Sequence, residues 1–227
     1  GFATVTESKL LGFAPGDRFY GYWPMASHAI LTPGRVSPHG FSDVSPHREG
    51  LAAAYNGYVA ADGLCPPAEE ARYALFRGLY TTSFLIDDHI AETFPDAEAV
   101  ILSSASSKTA IGLAQALYQR GGVSVVGLTS AANVGFVQST GVYDKVVSYD
   151  DLDALDTAKR SVFVDFAGNA ATRAKVHTLF GDRLAASLTI GATDWDAPRG
   201  DAIDLPGPRP VMFFAPAVLQ ATARRFI

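Results

Sequence analysis

The sequence predicts an α/β protein built on a doubly wound parallel sheet, and three observations predict it. Apolar runs without polar alternation, AVIL at 99–102, VSVVGL at 123–128 and SVFVDFAG at 161–168, have the pattern of strands buried on both faces. Helix-periodic segments separate them, the order expected of right-handed βαβ units. The first strand is joined to the first helix by a cluster of small hydroxylated residues carrying one lysine, SSASSK at 103–108.

Residues 1–60 hold turn signals (APGD, TPGR, SPHG, SPHR) between short β-type runs, so they read as part of an irregular β domain. Residues 67–94 read as a bridging helix with a break at Gly78. From Ala97 to Gln119 the chain reads strand, tight turn, helix. A helix starting at Ser106 or Ser107 points free backbone N–H groups and the positive end of its dipole into that turn, which favours an anion there. Lys108 in the first turn is unfavourable next to that dipole unless something negative sits beside it, which points to a bound phosphate. Beyond it, the sequence predicts strand 123–128, helix 131–140, strand 144–148, strand 161–168, helix 170–180 and strand 183–192. In such a sheet ligands bind at the carboxyl ends of the strands, which places 103–108, 129–133, 167–169 and 191–193 at one edge.

Composition narrows the function classes. The 227 residues are 48% hydrophobic, enough for one large or two small domains, and the net charge is −5 with no basic run. Nucleic acid and anionic membrane surfaces are therefore poor partners, and no apolar run reaches the length of a membrane span. Cys65 is the single cysteine, so neither an internal disulfide nor a multi-cysteine zinc site is available within the chain. The expectation is a cytoplasmic enzyme. The chain starts at Gly1 rather than Met and stops at Phe226–Ile227 inside a helix-like segment, so a fragment of a longer polypeptide is expected.

The order GDRFYGYWP, bridging helix, AVILSSASSKTAIGLAQAL, VVGLTS, VVSYDDLDAL, VDFAGN and LTIGA resembles the medium-chain dehydrogenase/reductase superfamily, in its zinc-independent, quinone-reductase-like branch. More narrowly, GDRFYGYWPMASH, TTSFLIDD and SSASSKTAIG resemble a subgroup of that superfamily with no assigned substrate. The resemblance implies a partial chaperonin-10-like catalytic domain over 1–66, then a bridging helix and a Rossmann-type NADP-binding domain over 67–227. It implies an NADP(H)-dependent oxidoreductase that transfers hydride to or from a small carbonyl, enone or quinone in the cleft between the domains. The expected partners are that small molecule and, at most, a second copy of the chain in a homodimer.

Residue by residue, Ser103, Ser104, Ala105, Ser106, Ser107, Lys108 and Thr109 fall where the family's glycine-rich pyrophosphate turn lies. Thr129, Ser130 and Asn133 fall where the adenosine ribose is read, and Tyr149 matches a tyrosine near the adenosine phosphate. Ala167, Gly168 and Asn169 match the turn beneath the nicotinamide ribose, and Gly191 ends the next strand. Serines stand where the family has glycines, which sets the pyrophosphate further from the backbone or weakens its binding.

Cofactor choice also follows from chemistry alone. An NAD site places Asp or Glu at the end of the second strand to bind the ribose 2′-hydroxyl. Here that stretch is GLTSAAN, without acid, whose hydroxyls and amide can donate to the extra phosphate of NADP(H). An arginine, the strongest phosphate partner, is missing from it.

Other constellations carry less. Tyr22, Tyr55 and Asn56, with Trp23 and Tyr58, are candidates to line a substrate cleft and donate to a developing oxyanion, though an aromatic core accounts for them equally well. Asp87–Asp88–His89 reads as solvated surface, because adjacent helical residues point to different faces. The five histidines show no metal-binding spacing. Asp165 reads as held by backbone hydrogen bonds at a strand end. Two other classes remain: a P-loop phosphohydrolase, in which Leu102 and Ser107 would occupy the two required glycine positions, and a nucleotide-binding module without chemistry.

Overall fold

The structure, a computed structural model, describes residues 1–191 and 204–223. It divides into two compact units, residues 1–78 with 216–227 and residues 79–215.

In the first unit, β1 (Phe2–Thr4), β2 (Arg18–Tyr20), β3 (Pro33–Ser37), β4 (Gly40–Asp43) and β5 (Gly57–Ala60) form an antiparallel sheet in the order β1-β2-β5-β4-β3, with a single helical turn, α1 (Ala53–Asn56), before β5. These strands are too short for a visible alternation, and aromatic packing holds them. Phe19, Phe41 and Tyr58 are buried together, with Phe13 and Trp23 packed against them. The Phe13 and Phe41 rings meet edge to face at 5.3 Å, and Phe41 stacks on Tyr58 at 5.1 Å.

The helix α2 (Glu70–Thr93) starts in the first unit and continues into the second. It runs unbroken through Gly78, contrary to the break expected from the sequence. One interior glycine costs about 1 kcal/mol against alanine, little against the packing of so long a helix. The absent side chain has a use, since a Cβ at Gly78 would lie 3.2 Å from the Tyr22 hydroxyl.

The second unit is the doubly wound sheet. Its elements are β6 (Ala99–Leu102), α3 (Lys108–Arg120), β7 (Ser124–Thr129), α4 (Val134–Ser139), β8 (Lys145–Ser148), β9 (Ser161–Asp165), α5 (Ala170–Phe180), β10 (Leu184–Thr189) and β11 (Val211–Met212); α6 (Ala215–Ala223) follows and, after its first residue, belongs to the first unit. All six strands are parallel, in the order β11-β10-β9-β6-β7-β8. Every residue of β6 and β9 is buried, as their apolar runs require. Ile101, Leu128, Phe163 and Val176 sit in one continuous core with Leu152 and Phe180.

The expected elements are present with shifted ends: β7 lies one residue later than the expected 123–128, and the helix expected over 131–140 begins as a 3-10 turn, Ala131–Asn133, before α4. The expected strand 161–168 stops at Asp165, where the chain turns sharply, and 183–192 is a strand only over 184–189. Residues 192 and 193 and the helix expected at Phe226–Ile227 lie outside the described residues.

Candidate functional site

Between β6 and β9 the connections leave in opposite directions, β6 toward β7 and β9 toward β10. That reversal opens a crevice at the carboxyl ends of the two strands. Its floor is tied by Ser103, fully buried one residue past β6. The Ser103 hydroxyl donates to Asp165 Oδ1 at 2.8 Å and accepts the N–H groups of Phe166 at 2.8 Å and Ala167 at 2.9 Å. Asp165 Oδ1 also accepts the Gly168 N–H at 3.0 Å, and its Oδ2 pairs with Arg173 at 3.3 Å. This network ends β9, and it commits the donors of the 166–168 turn internally. Asp165 is thus held by a serine and an arginine as well as by the backbone. Gly168 takes the turn's positive φ, +71°, and Asn169 caps α5 by accepting the Thr172 N–H.

The turn from β6 to α3 is built differently. Ser104 has φ +48°, a left-handed conformation in which an L side chain is strained and which the fingerprint normally fills with glycine. Its N–H donates to the Tyr149 hydroxyl at 2.6 Å. Ala105 N–H donates to the Leu128 carbonyl, and the Ala105 carbonyl accepts the Tyr143 hydroxyl at 2.8 Å. Burial pushes the Tyr143 phenol well above its ordinary range. The Cβ that Gly127 lacks would lie 2.9 Å from both Ala105 and the Tyr143 ring, so β7 needs glycine there for the turn to pack on it. Ser107 caps α3 by accepting the Ala110 N–H at 3.4 Å. The N–H groups of Lys108 and Thr109, at the start of the helix, have no intrahelical acceptor and point out of its N-terminus, and the Lys108 side chain is exposed beside them. Thr109 is tied from below, its carbonyl accepting the Ser83 hydroxyl at 2.8 Å.

At the end of β7, Thr129 is buried, while Ser130 and Asn133 are exposed. The Asn133 amide donates to the Ser106 hydroxyl at 3.4 Å and links the two turns. Gly191 follows β10 beside the Phe166 turn; Ile190 N–H donates to the Asp165 carbonyl. The strands' common direction therefore brings 103–109, 129–133, Tyr149, 167–169 and Gly191 to one edge of one sheet. The residues missed from the sequence are Tyr143, Arg173 and the Ser103–Asp165 tie.

Tyr22, Tyr55 and Asn56 belong to the other unit. Tyr22 is half exposed and its ring meets Tyr55 edge to face at 5.3 Å. Tyr58 is core, 1% exposed, and its hydroxyl donates to the Tyr22 carbonyl and accepts from Arg48 at 2.9 Å. Arg48, a residue the sequence reading passed over, also donates to the Tyr55 carbonyl, and its own carbonyl accepts the Asn56 amide. It faces Asp43 at 3.5 Å. Burial pushes the Asp43 carboxyl up, but hydrogen bonds from Ser45 and Thr32, helped by Arg48, outweigh it and hold the group below its ordinary range. Among the described residues no three His, Cys, Asp or Glu side chains converge on one point; Asp87 instead pairs with Arg120 at 2.8 Å. His177 is a buried structural residue, between Ser187 and the Pro206 carbonyl.

Residues 1–225 match the family described as "Protein of unknown function (DUF2855)", and the chain belongs to that family. No curated protein matches it. Its fold is shared with solved structures of oxidoreductases. It is similar to the yhdH oxidoreductase of Salmonella enterica, solved in complex with NADP, at 15% identity and TM-score 0.52 over 98% of this chain and 67% of that one. A putative NADPH:quinone reductase of Mesorhizobium loti is similar at 12% identity and TM-score 0.59, over 77% of this chain and 51% of that one. A mutant form of the enoyl thioester reductase of Candida tropicalis is similar at 10% identity and TM-score 0.57, over 99% and 64%. The chain thus matches between about half and two thirds of the length of these structures. Among the described residues no helix is long and apolar enough to cross a membrane.

Proposed function

We propose that the second unit binds NADP(H) across the carboxyl edge of its sheet and that the protein is an oxidoreductase acting on a small carbonyl, enone or quinone. The observation that carries the reading is the strand order with its reversal between β6 and β9, where the N-terminus of a 13-residue helix carrying Lys108 ends at the turn after β6. In this reading Lys108 and the first N–H groups of α3 hold the pyrophosphate, Ser130 and Asn133 face the 2′-phosphate, and the 167–169 turn underlies the nicotinamide ribose. The bound nicotinamide supplies the hydride chemistry, and the chain binds and orients it. The acid-free end of β7 supports the phosphorylated cofactor, because a carboxylate there would repel it. The naming of the solved relatives as NADP-bound or quinone-reducing supports the same class. We place no metal in the mechanism, so hydrogen-bond donors of the chain polarise the substrate carbonyl.

Calorimetric titration tests the cofactor, with NADPH expected to bind about fivefold or more tighter than NADH if two hydrogen bonds reach the phosphate. Equal affinities would overturn the choice of cofactor. Turnover with a quinone and enone panel, expected to survive prolonged chelation, tests the chemistry. Tight NADPH binding without turnover would leave a nucleotide-binding protein of the same fold.

A further inference from the structure

We propose that Tyr149 is a positioning residue that replaces a missing glycine, its hydroxyl holding Ser104 in the left-handed conformation that the phosphate turn needs. The consequence for ligand binding rests on the NADP(H) reading above; the conformational claim does not.

Ser104 and Arg35 are the two residues other than glycine with positive φ among those described. The turn cannot avoid that conformation at Ser104, because the chain is pinned on both sides of it. Ser103 N–H donates to the Val164 carbonyl on one side, Ala105 N–H donates to the Leu128 carbonyl on the other, and Ser107 N–H returns to the Ser104 carbonyl at 2.8 Å. Ser104 is the pivot that turns the direction of β6 into that of α3. Glycine accepts this φ without cost, whereas serine is drawn toward negative φ by its Cβ, and a fixed external contact must oppose that pull.

Tyr149 is that contact. It follows β8, two strands away from β6, and reaches back over the end of β7 to accept the Ser104 N–H at 2.6 Å. Its base does not give, since the ring packs against the cluster that contains Val147, Leu152 and Leu128. An N–H held by a rigid acceptor fixes the peptide plane that precedes Ser104, and with it φ. If that plane swings, the helix-start N–H groups and Lys108, four residues on, change direction toward any phosphate. Tyr149 therefore acts through the Ser104 backbone, and the two residues together do the work of one glycine.

Wild type, Tyr149→Phe, Ser104→Gly and the double variant decide it, with two readouts. The first is amide hydrogen exchange of a 103–110 peptide without any ligand; the second is the NADPH dissociation constant. Tyr149→Phe is expected to speed exchange of the Ala105 and Ser107 amides about tenfold in the serine background and far less in the glycine background. It is expected to weaken NADPH about five- to tenfold with Ser104 and less than about twofold with Gly. Equal effects of the tyrosine change in both backgrounds would overturn the proposal, as would tighter NADPH binding by Tyr149→Phe, which would make the tyrosine a competitor for the turn. If wild type fails to bind NADPH, the functional reading falls, and the exchange data still decide whether Tyr149 holds Ser104.

Discussion

Replacing Ser103 by alanine removes one oxygen and leaves three buried groups short of a partner. The Phe166 and Ala167 N–H groups lose their acceptor, and Asp165 Oδ1 loses a donor while keeping the Gly168 N–H. Ser103 is fully buried, so its removal opens no path for bulk water. A buried donor left unsatisfied costs about 1–3 kcal/mol, which puts Ser103→Ala at about 3 kcal/mol or more. For a chain of this size that is a fall in midpoint of about 6–12 °C. Ser107→Ala is the matched control, the same substitution four residues away. Ser107 is half-buried and makes one long cap bond of 3.4 Å, worth about 0.5–1 kcal/mol. Urea and thermal unfolding of the two variants beside wild type provide the comparison. If Ser103→Ala costs no more than Ser107→Ala, the hydroxyl is not what ties the two turns together.

Two further outcomes are expected. Lys108→Ala should raise the NADPH dissociation constant about tenfold, the worth of one charge-assisted hydrogen bond, and leave the unfolding midpoint where it was; an unchanged constant would make Lys108 an ordinary surface residue. His177 is fully buried, its Nδ1–H donating to the Pro206 carbonyl, and burial lowers its pKa below the ordinary imidazole value. The unfolded chain therefore binds the proton first as pH falls, so the stability this group contributes is complete above about pH 6.5 and is lost progressively below it. The midpoint should fall less between pH 7.5 and pH 5 in His177→Asn than in wild type, and parallel profiles would exclude the histidine as the cause.

How much of this was legible in the sequence depended on the range of the cause. The strands β6, β7 and β9 were readable because a strand buried on both faces must be apolar throughout, a property of four to six consecutive residues. Helix α5 was readable to the residue, as 170–180; the structure adds Asn169 as its cap and Gly181 as its stop. Gly78 misled because the cost of an interior glycine is local, whereas the gain of continuing α2 comes from packing against residues remote in sequence. The strand order was out of reach, since apolar runs state that strands are buried and say nothing of their neighbours. The tie from Ser103 to Asp165 spans 62 residues and uses residue types common at strand ends. Tyr149 was reached through resemblance alone, and its partner, a backbone N–H, leaves no trace in sequence.

The serines of the 103–107 turn explain how a dinucleotide-type turn forms without its glycines. In the fingerprint, glycine works by absence: no side chain restricts φ or keeps the backbone from the phosphate. Here each position carries a tie instead. Ser103 holds the turn after β9, Ser104 is held by Tyr149, Ser106 accepts from Asn133 after β7, and Ser107 caps α3. The four ties run to four different elements of the same unit, so the turn is fixed from several sides before any ligand arrives. A loop already ordered in the free protein loses less conformational entropy on binding, which offsets part of what side chains cost in closeness of approach. This also separates the turn from a P-loop. There, glycines let successive N–H groups wrap around the phosphates. In this chain the N–H groups of Ser103, Ser104, Ala105 and Ser107 are already committed inside the unit. On the NADP(H) reading proposed above, a phosphate is met from the helix end, by the Lys108 and Thr109 N–H groups and the Lys108 ammonium. That reading has the pyrophosphate lie across the N-terminus of α3 rather than inside the turn.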